Sequence, residues 1–382
     1  MKHKKLSRYT QRLAVLSFAI LGFLFVIRLE PALAQPAPDW KQRWEKVLSE
    51  ARKEGKAVVF GPPGELIREA MTRGFSKAFP DITIEYSGSR SAEQATKLKA
   101  ERDGGIYSAD VFLAGTTTVL TQLKPMKAVD PIRPALILPE VTDLKYWKSN
   151  SMEFADVDGL YDLVFVNKVL ALLMYNSNVV KADELSDLYQ LLDPKWKGKI
   201  VLNDPLPSGA GNVAFRWIWQ VLGQEKATDY YKRIRAQAGV VDRDQRRQIE
   251  WVARGKYAIL LGVSDGVLEQ LAQRGLKDFG LNPEFKDYGG AVTASFGSVG
   301  LINRAPHPNA AIVFLNWVLT RDGQTAWSRA MGHPSRRLDV PTDHLPPHSI
   351  PKPGGRYWLS HHEKEVTRSA EEVKILKELF GR

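Results

Sequence analysis

Ala57-Val58-Val59-Phe60-Gly61-Pro62-Pro63-Gly64 is the stretch on which the fold turns. Four consecutive apolar residues read as a buried strand. Gly-Pro-Pro-Gly then turns the chain into a helix whose Leu66, Ile67, Ala70, Met71, Phe75 and Phe79 follow the 3.6-residue period. Upstream, Trp40, Trp44, Val47, Leu48 and Ala51 predict a helix over 40–53 that ends at Gly55. Downstream, Pro80 stops the second helix and Ile82 to Tyr86 alternates as a strand. After the loop Ser87-Gly88-Ser89-Arg90 a helix runs from Ala92 to Asp103, opened by Ser91 with Gln94 at capping-box spacing. Ser108 to Ala114 is the next strand, leading into Gly115-Thr116-Thr117-Thr118 and a short helix. Strand alternating with helix predicts a parallel sheet with helices on its faces.

The pattern weakens over 128–170, read as irregular with short strands, and then recurs. Leu170 to Tyr175 and Ile200-Val201-Leu202 are strands. Asn203 to Gly211 opens a helix with Val213, Ala214, Trp217, Ile218 and Val221 on one face. Helices near 225–237 and 244–254, strand Tyr257 to Leu261 and a helix from Asp265 to Arg274 complete a second α/β run. Pro308 starts a further helix with Ile312, Val313, Trp317 and Val318 facing a core, and residues 363–379 read as a closing amphipathic helix.

The 382 residues are 44% hydrophobic and 25% charged, which excludes a disordered chain and a polytopic membrane protein. The absence of cysteine excludes disulfide scaffolds, thiolate metal sites, cysteine nucleophiles and lipid attachment at cysteine. Lys2, Lys4, Lys5, Arg8 and Arg12 precede an apolar run from Leu13 to Ile27 and then Ala32-Leu33-Ala34, a secretory signal with cleavage expected after Ala34. An uncleaved anchor is the alternative. The formal charge of +11 falls to +6 once the six Lys/Arg and one Glu of residues 1–34 are set aside. A nucleic-acid partner is therefore not expected, and tryptophans such as Trp217, Trp219 and Trp317 read as helix packing.

Loops starting at Gly61, Ser87, Gly115 and Ser208 each follow a strand and open a helix, where unpaired N–H groups and the helix dipole favour negative charge. Glycines at 61, 64, 88, 115, 209 and 211 would let a ligand approach the backbone. Arg90 adds a guanidinium for a carboxylate or phosphate. For each loop alone, an ordinary βα turn explains the same residues.

The chain also resembles periplasmic substrate-binding proteins of ABC transporters, in the type II group that includes the ferric-iron-binding proteins. The matching pieces are Glu54-Gly55-Lys56, Ser87 to Ala92, Ser108-Ala109-Asp110-Val111, Pro194 to Gly198, Asp204-Pro205 with Ser208 to Gly211, Pro306 to Ala311, Phe314-Leu315-Asn316-Trp317 with Asp322-Gly323-Gln324, and Ser335-Arg336-Arg337 with Asp339. The resemblance implies an α/β, two-lobe type II periplasmic binding protein fold with a strand hinge. Lobe 1 is expected at 38–170 plus 298–340, lobe 2 at 171–297, hinge strands near 170–176 and 291–301, and a tail at 341–382. A monomer free in the periplasm, partnered by a small solute and an inner-membrane ABC permease, with no enzymatic activity, cofactor or resident metal, is the corresponding expectation.

Iron-binding members carry a Tyr-Tyr pair after the strand that here ends at Leu261, but this chain has Gly262-Val263-Ser264-Asp265. Tyr230 and Tyr231 read as packing residues, and six of the seven histidines fall at 307–362 and read as exposed tail residues. The expected solute is a small organic or oxo-anion held by Gly61, Pro62, Ser89, Arg90, Thr116, Thr117, Ser208, Gly209, Ala210, Arg246, Ser264 and Asp265, with Arg243 a further contact. Asp265 would receive an amine if the solute is zwitterionic. Arg336 and Arg337 read as solvated or structural. The alternatives are a ferric site of non-standard or anion-assisted kind, and a secreted α/β enzyme. The latter lacks a G-x-S-x-G elbow, an S-x-x-K, a P-loop and a metal-spaced His pair.

Overall fold

The computed structural model describes residues 39–207 and 209–381, so the signal read at 1–34 and the loop residue Ser208 lie outside the described residues. Helix Trp40–Glu54 closes at Gly55, whose φ of +73° is the left-handed cap geometry that favours glycine. The strand read from the opening stretch spans Lys56–Gly61 and pairs in parallel with Thr83–Gly88 on one side and Val111–Ala114 on the other. Helices Glu65–Ala78 and Ser91–Asp103 connect them. Beyond Val111–Ala114 the sheet departs from the expected parallel order. Ser298–Ile302 returns antiparallel beside it, followed by Leu163–Val164 and Glu153–Phe154 at the edge.

A second sheet orders the strands Val240–Asp242, Ile200–Asn203, Ile259–Leu261, Leu173–Asn176 and Phe279–Asn282. It too is mixed, because Leu173–Asn176 runs antiparallel to both neighbours. The two sheets have separate cores. One gathers Met71, Phe75, Phe314, Trp317 and Trp327; the other gathers Phe215, Trp217, Tyr230, Tyr231 and Leu261.

The lobes are joined by a third sheet that corrects the expected hinge. The return segment read as one strand over 291–301 is two strands in different sheets, Gly289–Thr293 and Ser298–Ile302, parted by a turn in which Gly297 N–H donates to the carbonyl of Ala294 (2.7 Å). Gly289–Thr293 pairs antiparallel with Lys168–Val169, which precede the expected crossing at 170–176. It also pairs in parallel with Tyr357–Leu359 from the tail. Three segments of chain therefore meet at the hinge. The tail then docks helix Ala370–Phe380 on helix Gln224–Gln237, placing Ile375, Leu376 and Phe380 in the second core.

Residues that carried the family resemblance are architectural. Asp110 is fully buried and accepts from Val58 N–H (2.6 Å) and His307 N–H (2.8 Å). Glu54 accepts from the N–H groups of Asn309 and Ala310, at the start of helix Pro308–Val318. Asn316, also fully buried, accepts from Ile137 and Leu138 N–H and donates to the carbonyls of Ala135 and Ile312. Asn316→Ala would leave the N–H groups of Ile137 and Leu138 and the carbonyl of Ala135 short of a partner at the first core, while the Ile312 carbonyl keeps its helical bond. Its urea midpoint is expected to fall by the equivalent of about 3 kcal/mol. A loss under about 1 kcal/mol would show that water replaces the side chain.

Among the described residues no helix is long and apolar enough to cross a membrane.

Candidate functional site

The loops expected to hold a ligand are first of all tied to one another. Gln94, expected in a capping box with Ser91, sits inside helix Ser91–Asp103, buried, and donates through Nε2 to the carbonyls of Gly61 (2.8 Å) and Ser87 (2.9 Å). Ser91 Oγ accepts from Gly115 N–H (3.3 Å), so two side chains from one helix turn bind the first three loops into a unit. The N-cap is Arg90 instead, and its N–H donates to Glu93 (3.3 Å).

Two glycines of these loops, Gly61 and Gly211, admit protein rather than ligand, whereas Gly209 faces open space. A Cβ on Gly61 would lie 2.3 Å from the hydroxyl of Tyr86, which donates to the carbonyl of Pro62 (2.8 Å). A Cβ on Gly211 would lie 2.3 Å from the carbonyl of Asn203, whose side chain also accepts Gly211 N–H (2.7 Å).

Two neighbouring cavities, sharing the wall residues Val213, Thr293 and Ser295, occupy the space between the lobes. The first, of about 440 Å³, is lined by apolar Leu170, Leu172, Val263, Phe296 and Met331 around Lys168, Asp265, Glu269 and His333. Lys168 Nζ lies 3.1 Å from Glu269 and 3.9 Å from Asp265. Asp265 Oδ1 is buried with no hydrogen-bond partner among the described residues. Burial pushes the Asp265 carboxyl up to about 6 against the opposing pull of Lys168. Burial, with Lys168 nearby, holds the His333 imidazole down to about 3, so it is neutral at physiological pH.

The second cavity, of about 380 Å³, is polar. Thr116 and Thr117 come from the first lobe and Asn212 and Arg216 from the helix Ala210–Leu222. Ser360, His361 and Arg368 come from the tail. Arg368 donates to the carbonyl of Asn212 (2.7 Å) and lies 3.5 Å from Glu372. Arg216 lies against the Trp358 ring (5.3 Å) and has no carboxylate within ion-pair distance among the described residues. Burial and the neighbouring Arg368 both lower the Arg216 pKa, the signature of cations gathered without full neutralisation.

The expected site residues divide accordingly. Ser264, Asp265 and Ala210 line the first cavity, and Thr116 and Thr117 the second. Gly61, Pro62, Ser89, Arg90, Gly209 and Arg246 line neither; Arg90 and Arg246 are exposed, and Ser208 is outside the described residues. Arg243 is engaged by Asp204 (2.7 Å). The expectation of exposed histidines at 307–362 is overturned: His333 and His361 are buried, the latter hydrogen-bonded to Glu153, and His307, His344, His348 and His362 are half-buried. Arg336 and Arg337 are buried rather than solvated, paired with Glu153 and Asp339. Arg216 and Arg368 escaped sequence reasoning. Arg216 is one cation within an apolar helix, and Arg368 belongs to a tail whose path to the cleft no local pattern announces.

A family model described as bacterial extracellular solute-binding protein matches residues 70–348. The chain belongs to that family. Its members are the binding components of ABC transporters and not enzymes. A Haemophilus influenzae protein described as uncharacterized is 23% identical over 288 residues, covering 74% of this chain and 78% of the relative. Among solved structures, the solute-binding fold is shared with the Trichodesmium protein IdiA (FutA) in complex with iron and citrate (TM-score 0.67, 19% identity, 86% of this chain and 100% of that one). It is shared also with AfuA from Actinobacillus pleuropneumoniae with fructose-6-phosphate bound (TM-score 0.59, 18% identity, 85% and 98%). Iron-bound HitA from Pseudomonas aeruginosa is a third such structure (TM-score 0.58, 17% identity, 85% and 99%).

The raised Asp265 carboxyl makes a stability prediction for this solute-binding protein. The folded chain keeps that proton up to about pH 6, whereas an unfolded Asp releases it near 3.8, so the folded state binds more protons in between. Stability should therefore fall as pH rises through this window, by at most about 3 kcal/mol from this group. In Asp265→Asn the fall should flatten, read from urea midpoints at pH values across it. A variant whose pH profile parallels that of the natural protein would place the carboxyl in water.

Proposed function

We propose that the protein is the periplasmic solute-binding component of an ABC importer, acting as a monomer and delivering a small anionic organic solute to an inner-membrane permease. The observation that carries the choice of solute is the pair Arg216 and Arg368 in the polar inter-lobe cavity, beside the hydroxyls of Thr116, Thr117 and Ser360. A carboxylate or phosphate placed there replaces water around two cations with charge-assisted hydrogen bonds. The adjoining cavity supports an apolar body ending in a hydroxyl or amino donor, because Asp265 Oδ1 is a buried acceptor without a partner among the described residues. Anionic at one end and donor-bearing at the other describes a hydroxy acid, a sugar phosphate or an amino acid derivative. The AfuA complex with fructose-6-phosphate is a structural neighbour of that description.

The ferric alternative has less support. Among the described residues no tyrosine lines either cavity. Tyr230 and Tyr231 are fully buried in the second core, with hydroxyls donating to the carbonyls of Leu188 and Phe215. Burial pushes both phenols well above their ordinary pKa, away from the phenolate a ferric ion requires.

The test is native mass spectrometry of the protein taken from its own periplasm. A calorimetric panel of hydroxy acids, sugar phosphates, amino acids and ferric citrate follows. Tight binding confined to neutral solutes would overturn the reading.

A further inference from the structure

Glu153, His361 and His362 form a cluster that solute binding does not absorb. Their ligand atoms, one carboxylate oxygen and two imidazole nitrogens, all lie within 4.8 Å of one another. Both imidazoles direct Nε2 to the same oxygen, Oε1 of Glu153, His362 at 3.2 Å and His361 closer. The two rings stand edge to face, 85° apart with centroids separated by 5.0 Å, which is how adjacent residues bring two ring nitrogens to one point. Arg336 is paired with the other oxygen, Oε2, so the carboxylate is held in orientation with Oε1 turned to the histidines. His361 Nδ1 is buried and without a hydrogen-bond partner among the described residues.

We propose that Glu153 Oε1, His361 Nε2 and His362 Nε2 form a binding site for a divalent transition metal of the zinc class. Two imidazoles and one carboxylate are a donor set that suits zinc and disfavours calcium or magnesium. The 3.2 Å separation of His362 Nε2 from Glu153 Oε1 is close to the edge of a tetrahedron with metal–ligand bonds of about 2 Å. On metal binding each imidazole offers an unprotonated Nε2 to the ion and carries its proton on Nδ1; an Nε2 proton is released to solvent from an imidazolium, or is exchanged through solvent to Nδ1 in a neutral ring. The Arg336 pairing with Oε2 then becomes the outer hydrogen bond that commonly orients a ligating carboxylate. Three protein ligands leave one position of a tetrahedral ion for water or an anion.

The location gives the site a consequence. Glu153 lies on the edge strand of the first sheet, whereas His361 and His362 follow the tail strand Tyr357–Leu359 that pairs at the hinge. The tail continues to Arg368 and helix Ala370–Phe380 on the second lobe. A metal here clips the tail to the first lobe beside the second cavity, which His361 also lines.

The experiment uses the untagged secreted protein, stripped with a chelator and titrated with Zn²⁺ by calorimetry, with Co²⁺ absorption as a second readout. One saturable site is expected, with the visible bands of a tetrahedral Co²⁺ complex. Affinity should fall about 100-fold or more in His362→Ala and in Glu153→Gln, and stay unchanged in His344→Ala. Zn²⁺ should raise the thermal midpoint of the natural protein and leave that of His362→Ala unmoved. Circular dichroism establishes that the variants fold; His362 is the most exposed of the three, so its variant is the least disruptive. Absence of saturable Zn²⁺ binding to the natural protein would overturn the site and leave a hydrogen-bonded clasp. Equal affinity in His362→Ala would also overturn it.

Discussion

Arg216→Ala is expected to weaken binding of the anionic solute about 100-fold or more, while Arg90→Ala leaves it unchanged. Removing one side of a buried charge-assisted contact costs about 2–5 kcal/mol, because the partner charge stays desolvated and unpaired. Arg216 is the better probe of the two cavity arginines. Its removal breaks no ion pair among the described residues, whereas Arg368 also secures Asn212 and Glu372. Arg216→Lys should recover part of the affinity, since an ammonium keeps the charge and loses the fork. Calorimetry on the four proteins decides it. An unaltered dissociation constant in Arg216→Ala would move the anion elsewhere in the cleft, and a loss in Arg90→Ala would return it to the first-lobe loops.

The second large effect concerns the tail. Ending the chain before Ala370 removes Ile375, Leu376 and Phe380 from the second core and uncovers Phe215 and Tyr231, now in contact with or close to that helix. At about 1.5–3 kcal/mol for each buried side chain, the loss is about 5 kcal/mol or more, enough to unfold a marginal lobe. Leu376→Ala alone, at a fully buried position, should cost about 2–5 kcal/mol. Urea titration followed by tryptophan fluorescence measures both. A truncated chain with the natural midpoint would mean that the helix is an appendage and that the core closes without it.

These two expectations mark how far local sequence pattern reaches. Gly61-Pro62-Pro63-Gly64 and Ser87-Gly88-Ser89-Arg90 were readable as βα turns, and the strands and helices around them lie within a few residues of their expected bounds. A ligand site does not follow from the same residues. The physical reason it does not carry over is that glycine and serine signal backbone geometry alone. Tyr86 and Gln94, from elements either side of the Ser87–Arg90 loop, fill the space at Gly61 and tie the first two loops together through their carbonyls. Thr116, Thr117, Ser264 and Asp265 line the cavities because they follow strands at the lobe faces.

The sequence by itself determined the α/β class, the two-lobe organisation and the family. The first two follow from hydrophobic period and from helix starts and stops, and both are local; the family rests on the resemblance of the ordered set of matching segments. It also excluded thiol chemistry outright. Only the tertiary structure decided the mixed sheets, the three-segment hinge and the charges of the cleft. Strand direction beyond the first three strands depends on which segment returns to the sheet. Glu153 and His361 meet from positions 208 residues apart, and Arg216 and Arg368 line one cavity from the second lobe and the tail. No local pattern records such a meeting, because it is set by the docking of the tail across both lobes.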